Sequence, residues 1–124
     1  MMSYVKQFTD KLAVPWVFIY TKRMKKIEKV FIKAGFRHEL VEREDSIAIY
    51  RRTQLGYSRS HYEVVQINSH EGYNLGGSYI VAAETYPGNS LWGIQGWTYP
   101  TLEQALPKYN KLLSKKVEKT LQLV

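Results

Sequence analysis

Three histidines, His38, His61 and His70, are the side chains best suited to acid–base or metal chemistry near neutral pH. Glu63 stands two positions after His61, so in a strand the two share one face. With His70 or Glu71 they would form a carboxylate–imidazole set able to hold a metal or move a proton. Their spacing matches no specific motif, and lone histidines more often serve structure. Cysteine is absent, which excludes disulfides, thiol catalysis and cysteine-based zinc sites. Gly72, Gly76 and Gly77 follow neither Walker nor dinucleotide spacing, and residues 60–107 contain no Lys or Arg. ATP or NAD chemistry is therefore not expected, and no nucleophile elbow is present. The expectation is no catalytic residue, no metal and no cofactor.

Charge is the stronger signal. Lys22, Lys25, Lys26, Lys29 and Lys33 fall at offsets 0, 3, 4, 7 and 11, with Arg23 and Arg37 beside them. On a helix they would form one stripe in which like charges repel by a few tenths of a kcal/mol per pair, and an anionic partner would relieve that. Lys108, Lys111, Lys115 and Lys119 repeat the pattern, with Lys116 adjoining. The chain carries a net charge of +7, distributed as +7 over residues 1–59, −4 over 60–107 and +4 over 108–124. Two basic ends thus flank an acidic middle, an asymmetry that suits nucleic acid or another acidic partner. The competing explanation is that basic faces simply secure solubility.

Aromatic residues are the third signal: ten Tyr, three Trp and four Phe. Tyr50 and Arg52 share one strand face by alternation. If that face is open, with Tyr62 or Tyr79 nearby, it is a platform for unpaired bases. The segment YPGNSLWGIQGWTY places Trp92 and Trp97 around Gly93 and Gly96. Alternation puts the two indoles on opposite faces, whereas a bulge at either glycine would bring them together. Trp92, Trp97 and Tyr99 are candidate anchors for a protein partner, against the plainer alternative of packing on the last helix.

The elements that must position these side chains follow from periodicity and turn chemistry. Residues 3–11 suggest a brief helix capped by Ser3, and Val14–Tyr20 suits a strand. Met24, Ile27, Val30, Phe31 and Ala34 recur at helical spacing and Gly35 follows, predicting a helix over 22–34. Residues 36–53 read as a hairpin turning at Asp45-Ser46, and His61–Asn68, Ser78–Tyr86 and Leu91–Tyr99 as further strands. Thr101 and Gln104 have capping-box spacing, and Leu102, Ala105, Leu106, Tyr109, Leu112, Leu113 and Val117 form an apolar stripe. This predicts a final helix over about 102–119, kinked or delayed by Pro107. The helices are expected to bury Ile27, Val30, Phe31, Leu106, Tyr109, Leu112 and Leu113.

The 124 residues are expected to form a single compact α+β domain (1–124). The fold class is two-layer, a mainly antiparallel sheet of five to six strands with two amphipathic helices on one face. The longest uncharged apolar run, Leu12 to Tyr20, has nine residues. A membrane span needs about 20, so a soluble, cytoplasmic protein is expected.

Phe31 to Arg52 (FIKAGFRHELVEREDSIAIYRR) resembles the helix–hairpin part of HicA-type mRNA-cleaving toxins over 22 of the 124 residues. Asp45, Ser46 and Ile47 stand where those proteins carry their catalytic His. The resemblance implies a small RNA-binding fold, helix outside and hairpin beneath, without the catalytic residue.

The leading expectation is a small, basic, non-catalytic domain that binds nucleic acid or a nucleoprotein. Lys22, Arg23, Lys25, Lys26, Lys29, Lys33, Arg52, Lys108, Lys111 and Lys115 would make the contacts. One alternative is an inhibitor or adaptor of phage or mobile-element type that binds an acidic protein through Trp92, Trp97 and Tyr99. Another is a small ribonuclease using His61 and Glu63.

Overall fold

The computed structural model of the protein describes residues 24–122. Five strands form an antiparallel sheet in the order β1-β2-β3-β4-β9: β1 (Val30–Lys33), β2 (Phe36–Glu44), β3 (Ile47–Gln54), β4 (Ser60–Gln66) and β9 (Gly96–Tyr99). Between β4 and β9 the chain makes an arm of two small ladders. β5 (Asn68–His70) pairs with β8 (Ala83–Thr85), and β6 (Tyr73–Leu75) pairs with β7 (Ser78–Ile80). One helix, α1 (Leu102–Gln122), closes the described chain.

The antiparallel sheet is present, but the two-helix layer is not. Among the described residues α1 is the one α-helix, and the helix expected over 22–34 is absent. Val30–Lys33 is instead the edge strand β1, paired residue for residue with Phe36–Glu39. Ala34 and Gly35 both have positive φ (53° and 81°), the backbone of the two-residue turn that matches strand twist. Gly35 therefore joins two strands rather than ending a helix. The stretch VFIK also fits a period of two, and ladder pairing to β2 decides between the periods. The helix half of the HicA resemblance falls with it, because Phe31 lies in β1. Lys22, Arg23, the 3–11 helix and the Val14–Tyr20 strand lie outside the described residues.

The hairpin over 36–53 is found as β2 and β3, turning at Asp45 and Ser46. The other expected strands are shorter than read. His61–Asn68 is divided at the buried Ile67 into β4 and β5, and Ser78–Tyr86 into β7 and β8. Leu91–Tyr99 begins with a 3-10 turn at Asn89–Leu91 and becomes a strand only at Gly96.

Both faces of the sheet are covered, by different means. On one face Ile47, Ile49 and Val64 pack against Ala105 and Tyr109 of α1, with Leu112 and Leu113 half-buried beside them. On the other, Ala48, Tyr50, Val65 and Ile67 are covered by Ile27, Phe31, Leu40, Tyr86 and Trp92. Tyr50, Ile49, Val64 and Val65 are fully enclosed, each stabilising the fold by about 1.5–3 kcal/mol through removal of apolar surface from water.

Helix α1 starts at Leu102 despite Pro107. Thr101 Oγ1 accepts a hydrogen bond from the Gln104 amide at 3.2 Å, and such a cap satisfies a donor that the first turn leaves unpaired. Two expected core positions are corrected: Leu106 is exposed on α1 because the inward face is centred on Ala105 and Tyr109, and Val30 is exposed on the edge strand. Val117 is also exposed, on the last turns of α1. No described helix is long and apolar enough to cross a membrane.

Candidate functional site

Alternation and register bring a polar cluster onto the face opposite α1. His38 on β2 pairs with Arg52 on β3, and Tyr50 on β3 pairs with Glu63 on β4. His38, Arg52 and Glu63 therefore project from one side of three neighbouring strands. The arm then returns Tyr86 over them. Its hydroxyl donates to Glu63 Oε1 at 2.7 Å. His38 Nε2 lies 3.6 Å from Oε1, and Arg52 Nε lies 3.6 Å from Oε2. His38 and Glu63 are buried.

Aromatic rings hold this cluster in place. His38 stacks on Phe31 with centroids 4.7 Å apart and planes within 5°. Tyr86 meets Phe31, His38 and Tyr50 edge to face at 5.4–5.5 Å. The Arg52 guanidinium lies 3.6 Å from the Phe36 ring centroid. Burial, reinforced by the Glu63 carboxylate and its hydrogen bond, pushes the Tyr86 hydroxyl far above its ordinary range, so Tyr86 stays protonated and donating. Further along this face, Arg43 grips Glu84 with two hydrogen bonds of 3.0 and 2.7 Å, holding that carboxyl below its usual value.

A cleft of about 290 Å³ opens over the cluster, lined by Lys33, Arg52, Glu63, Tyr86, Trp92 and Thr98 among others. Trp92 reaches it because Gly96 has no side chain: a Cβ there would lie 2.5 Å from the indole. The indole N–H donates to Thr98 Oγ1 at 2.9 Å.

Among the described residues His61 makes no ion pair with Glu63. Glu63 meets His38, Arg52 and Tyr86 rather than His61. In His38, Nδ1 faces the Phe36 carbonyl at 3.3 Å and Nε2 faces Glu63. Among the described residues, no three His, Asp or Glu side chains converge as a metal would require.

The opposite face carries the second feature. Lys108, Lys111, Lys115 and Lys119 line one side of α1, and among the described residues none lies within ion-pair distance of a carboxylate. Lys108 sits with its Nζ 4.0 Å from the Trp97 ring centroid. Desolvation, then repulsion from Lys111 and Lys115, holds its ammonium below the usual lysine value. Lys116 turns the other way, bridging to Asp45 and Ser46.

The remaining sequence-predicted residues separate. Lys25, Lys26 and Lys29 are exposed on the segment before β1, and Lys33 and Arg52 line the cleft. They form no stripe, because the helix that would have aligned them is absent. Trp92 and Trp97 lie on opposite faces: Trp97 on β9 pairs with Val64 on the α1 side, and Trp92, which precedes the strand in the turn, packs on the other. They are not one anchor, and Tyr99 packs beside the α1 core. The Tyr50–Arg52 stacking platform is closed, because Tyr50 is fully buried. Tyr62 faces α1, and Tyr79 is exposed on the distal hairpin. Sequence reasoning missed the convergence of His38 and Tyr86 on Glu63, which depends on register and on the return of the arm.

Comparison with known proteins returns no assignment: no family, no curated protein and no solved structure matches this chain significantly.

Proposed function

We propose that this protein binds nucleic acid without catalysis, through contacts to the phosphate backbone made by Lys108, Lys111, Lys115 and Lys119 of α1. The observation that supports this most is the row itself, four lysines on one side of α1 with no described carboxylate within ion-pair distance. Lys108 is held below the usual lysine value first by desolvation and then by Lys111 and Lys115. Phosphates spaced along a strand would supply the missing counter-charge, and displacement of condensed ions would drive binding. Trp97 holds Lys108 against the sheet by a cation–π contact, so this lysine is already ordered before a partner arrives. Backbone contacts carry no base information, so binding is expected to be tolerant of sequence.

Four neutralised phosphates would give a slope of about −3.6 in log affinity against log salt on duplex DNA, hence about 150-fold weakening between 50 and 200 mM. Lys108→Glu with Lys111→Glu should flatten that slope and weaken all sequences alike, measured by fluorescence anisotropy on duplex and single-stranded probes. Unchanged affinity in the double variant, with the unfolding temperature preserved, would discard the reading.

A further inference from the structure

We propose that the cleft above Glu63 is a binding site for a phosphate monoester, held between Lys33 and Arg52. It lies on the face opposite the lysine row and does not depend on it.

Arg52 is built as a receptor rather than as an ion-pair partner. Its plane is fixed by Phe36 at 3.6 Å, and its one carboxylate neighbour is Glu63, which approaches Nε at 3.6 Å. That is longer than a charge-assisted hydrogen bond. Among the described residues, the Arg52 guanidinium makes no hydrogen bond to a carboxylate. Glu63 is itself occupied by the Tyr86 hydroxyl. Lys33 lines the same cleft, with its Nζ 5.4 Å from the Tyr86 centroid and no described carboxylate within ion-pair distance. A planar fork and a point charge thus face one cavity.

That pair suits a tetrahedral oxyanion: the guanidinium takes two oxygens and the ammonium a third. With the Glu63 carboxylate the lining keeps a net charge of +1, and a monoester offers the three free oxygens that a fork and an ammonium need, whereas a diester offers two. The volume of about 290 Å³ is near the lower limit for a ligand pocket, enough for the phosphate and the group that carries it. Trp92 and Thr98 line the wall where that group would rest. The monoester can come from the end of a nucleic acid strand or from a free sugar phosphate.

Isothermal titration of the full chain separates these sources. The probes are ribose 5-phosphate and a short oligonucleotide with a 5′-phosphate or a 5′-hydroxyl, the last pair also run on the Lys108→Glu, Lys111→Glu variant. Binding of ribose 5-phosphate supports the site and a free ligand. A phosphate-dependent gain seen only with the oligonucleotide supports the site and a strand terminus. Arg52→Gln and Lys33→Gln should each reduce that phosphate-dependent binding about tenfold or more, the loss expected for a charge-assisted contact. The exposed Lys33 variant keeps the test valid if Arg52→Gln unfolds. Loss of 5′-hydroxyl oligonucleotide binding in the α1 variant, with the 5′-phosphate probe still bound, would support this site independently of the lysine row. Equal binding of the phosphorylated and hydroxyl oligonucleotides together with no response to ribose 5-phosphate, or full affinity in Lys33→Gln, would overturn the proposal.

Discussion

The two faces of the five-stranded sheet solve the same burial problem with different chemistry. Towards α1, Ile47, Ile49 and Val64 meet Ala105 and the Tyr109 ring in an apolar layer. Towards the cleft, Tyr50 and Tyr86 surround a buried His38–Glu63 pair. An apolar layer is non-directional and tolerates small shifts. A hydrogen-bonded aromatic layer fixes side-chain positions, because each polar group needs its partner in place. The face that must present a defined cleft is the one built with directional contacts. The other face presents a row of lysines, and the role proposed for it, attracting a phosphate backbone, needs no fixed geometry.

That contrast can be broken in order of expected effect. Ile49→Ala removes a fully enclosed side chain beneath α1 and should destabilise by about 3 kcal/mol. Urea unfolding measures it, and a cost below 1 kcal/mol would show that the helix layer closes over the gap. Glu63→Ala removes the acceptor of Tyr86 and the neighbour of His38 and Arg52, and leaving such groups unpaired costs about 2 kcal/mol. Glu63→Gln keeps an acceptor and should recover much of that loss. If the two variants prove equally unstable, the cluster is held by packing alone and the contrast between the faces disappears.

The smallest effect is the most discriminating. Tyr109 has a buried hydroxyl with no described partner, and burial, with Glu42 and Glu44 nearby, pushes that hydroxyl upward. Tyr109→Phe deletes an unpaired group without changing the ring, so stability should stay level or rise, by no more than about 1 kcal/mol. A drop of similar size in thermal unfolding would mean that the hydroxyl is satisfied in solution.

Much of this architecture was legible from local patterns. Alternation in Ile47–Arg52, with Asp45-Ser46 as a turn, gave the central hairpin and correctly put Tyr50 and Arg52 on one side. Thr101 and the apolar stripe gave α1. The segment before Gly35 was misread because Met24, Ile27, Val30, Phe31 and Ala34 satisfy a helical period, while Val30–Lys33 also satisfies a strand period. Only a pairing partner across the turn separates the two. The cleft was half legible. Glu63 stood out as a lone carboxylate on a strand face, but its partner was sought in His61, on the same strand. The actual neighbours come from β2, from β3 and from the end of a long arm. Such contacts have no signature in local spacing.

The hairpin of β6 and β7 has a separate consequence. It is held by three residue pairs and leaves Leu75 and Tyr79 facing solvent. A two-stranded ladder of this kind is marginal by itself, so its amides should exchange with solvent deuterium long before those of β3 and β4. A loop tip that opens without disturbing either face of the sheet is also where extra chain is tolerated. The Gly76-Gly77 turn is therefore the natural place to splice in an epitope or a fluorophore-accepting peptide, reporting on the protein in cells while both basic surfaces remain intact.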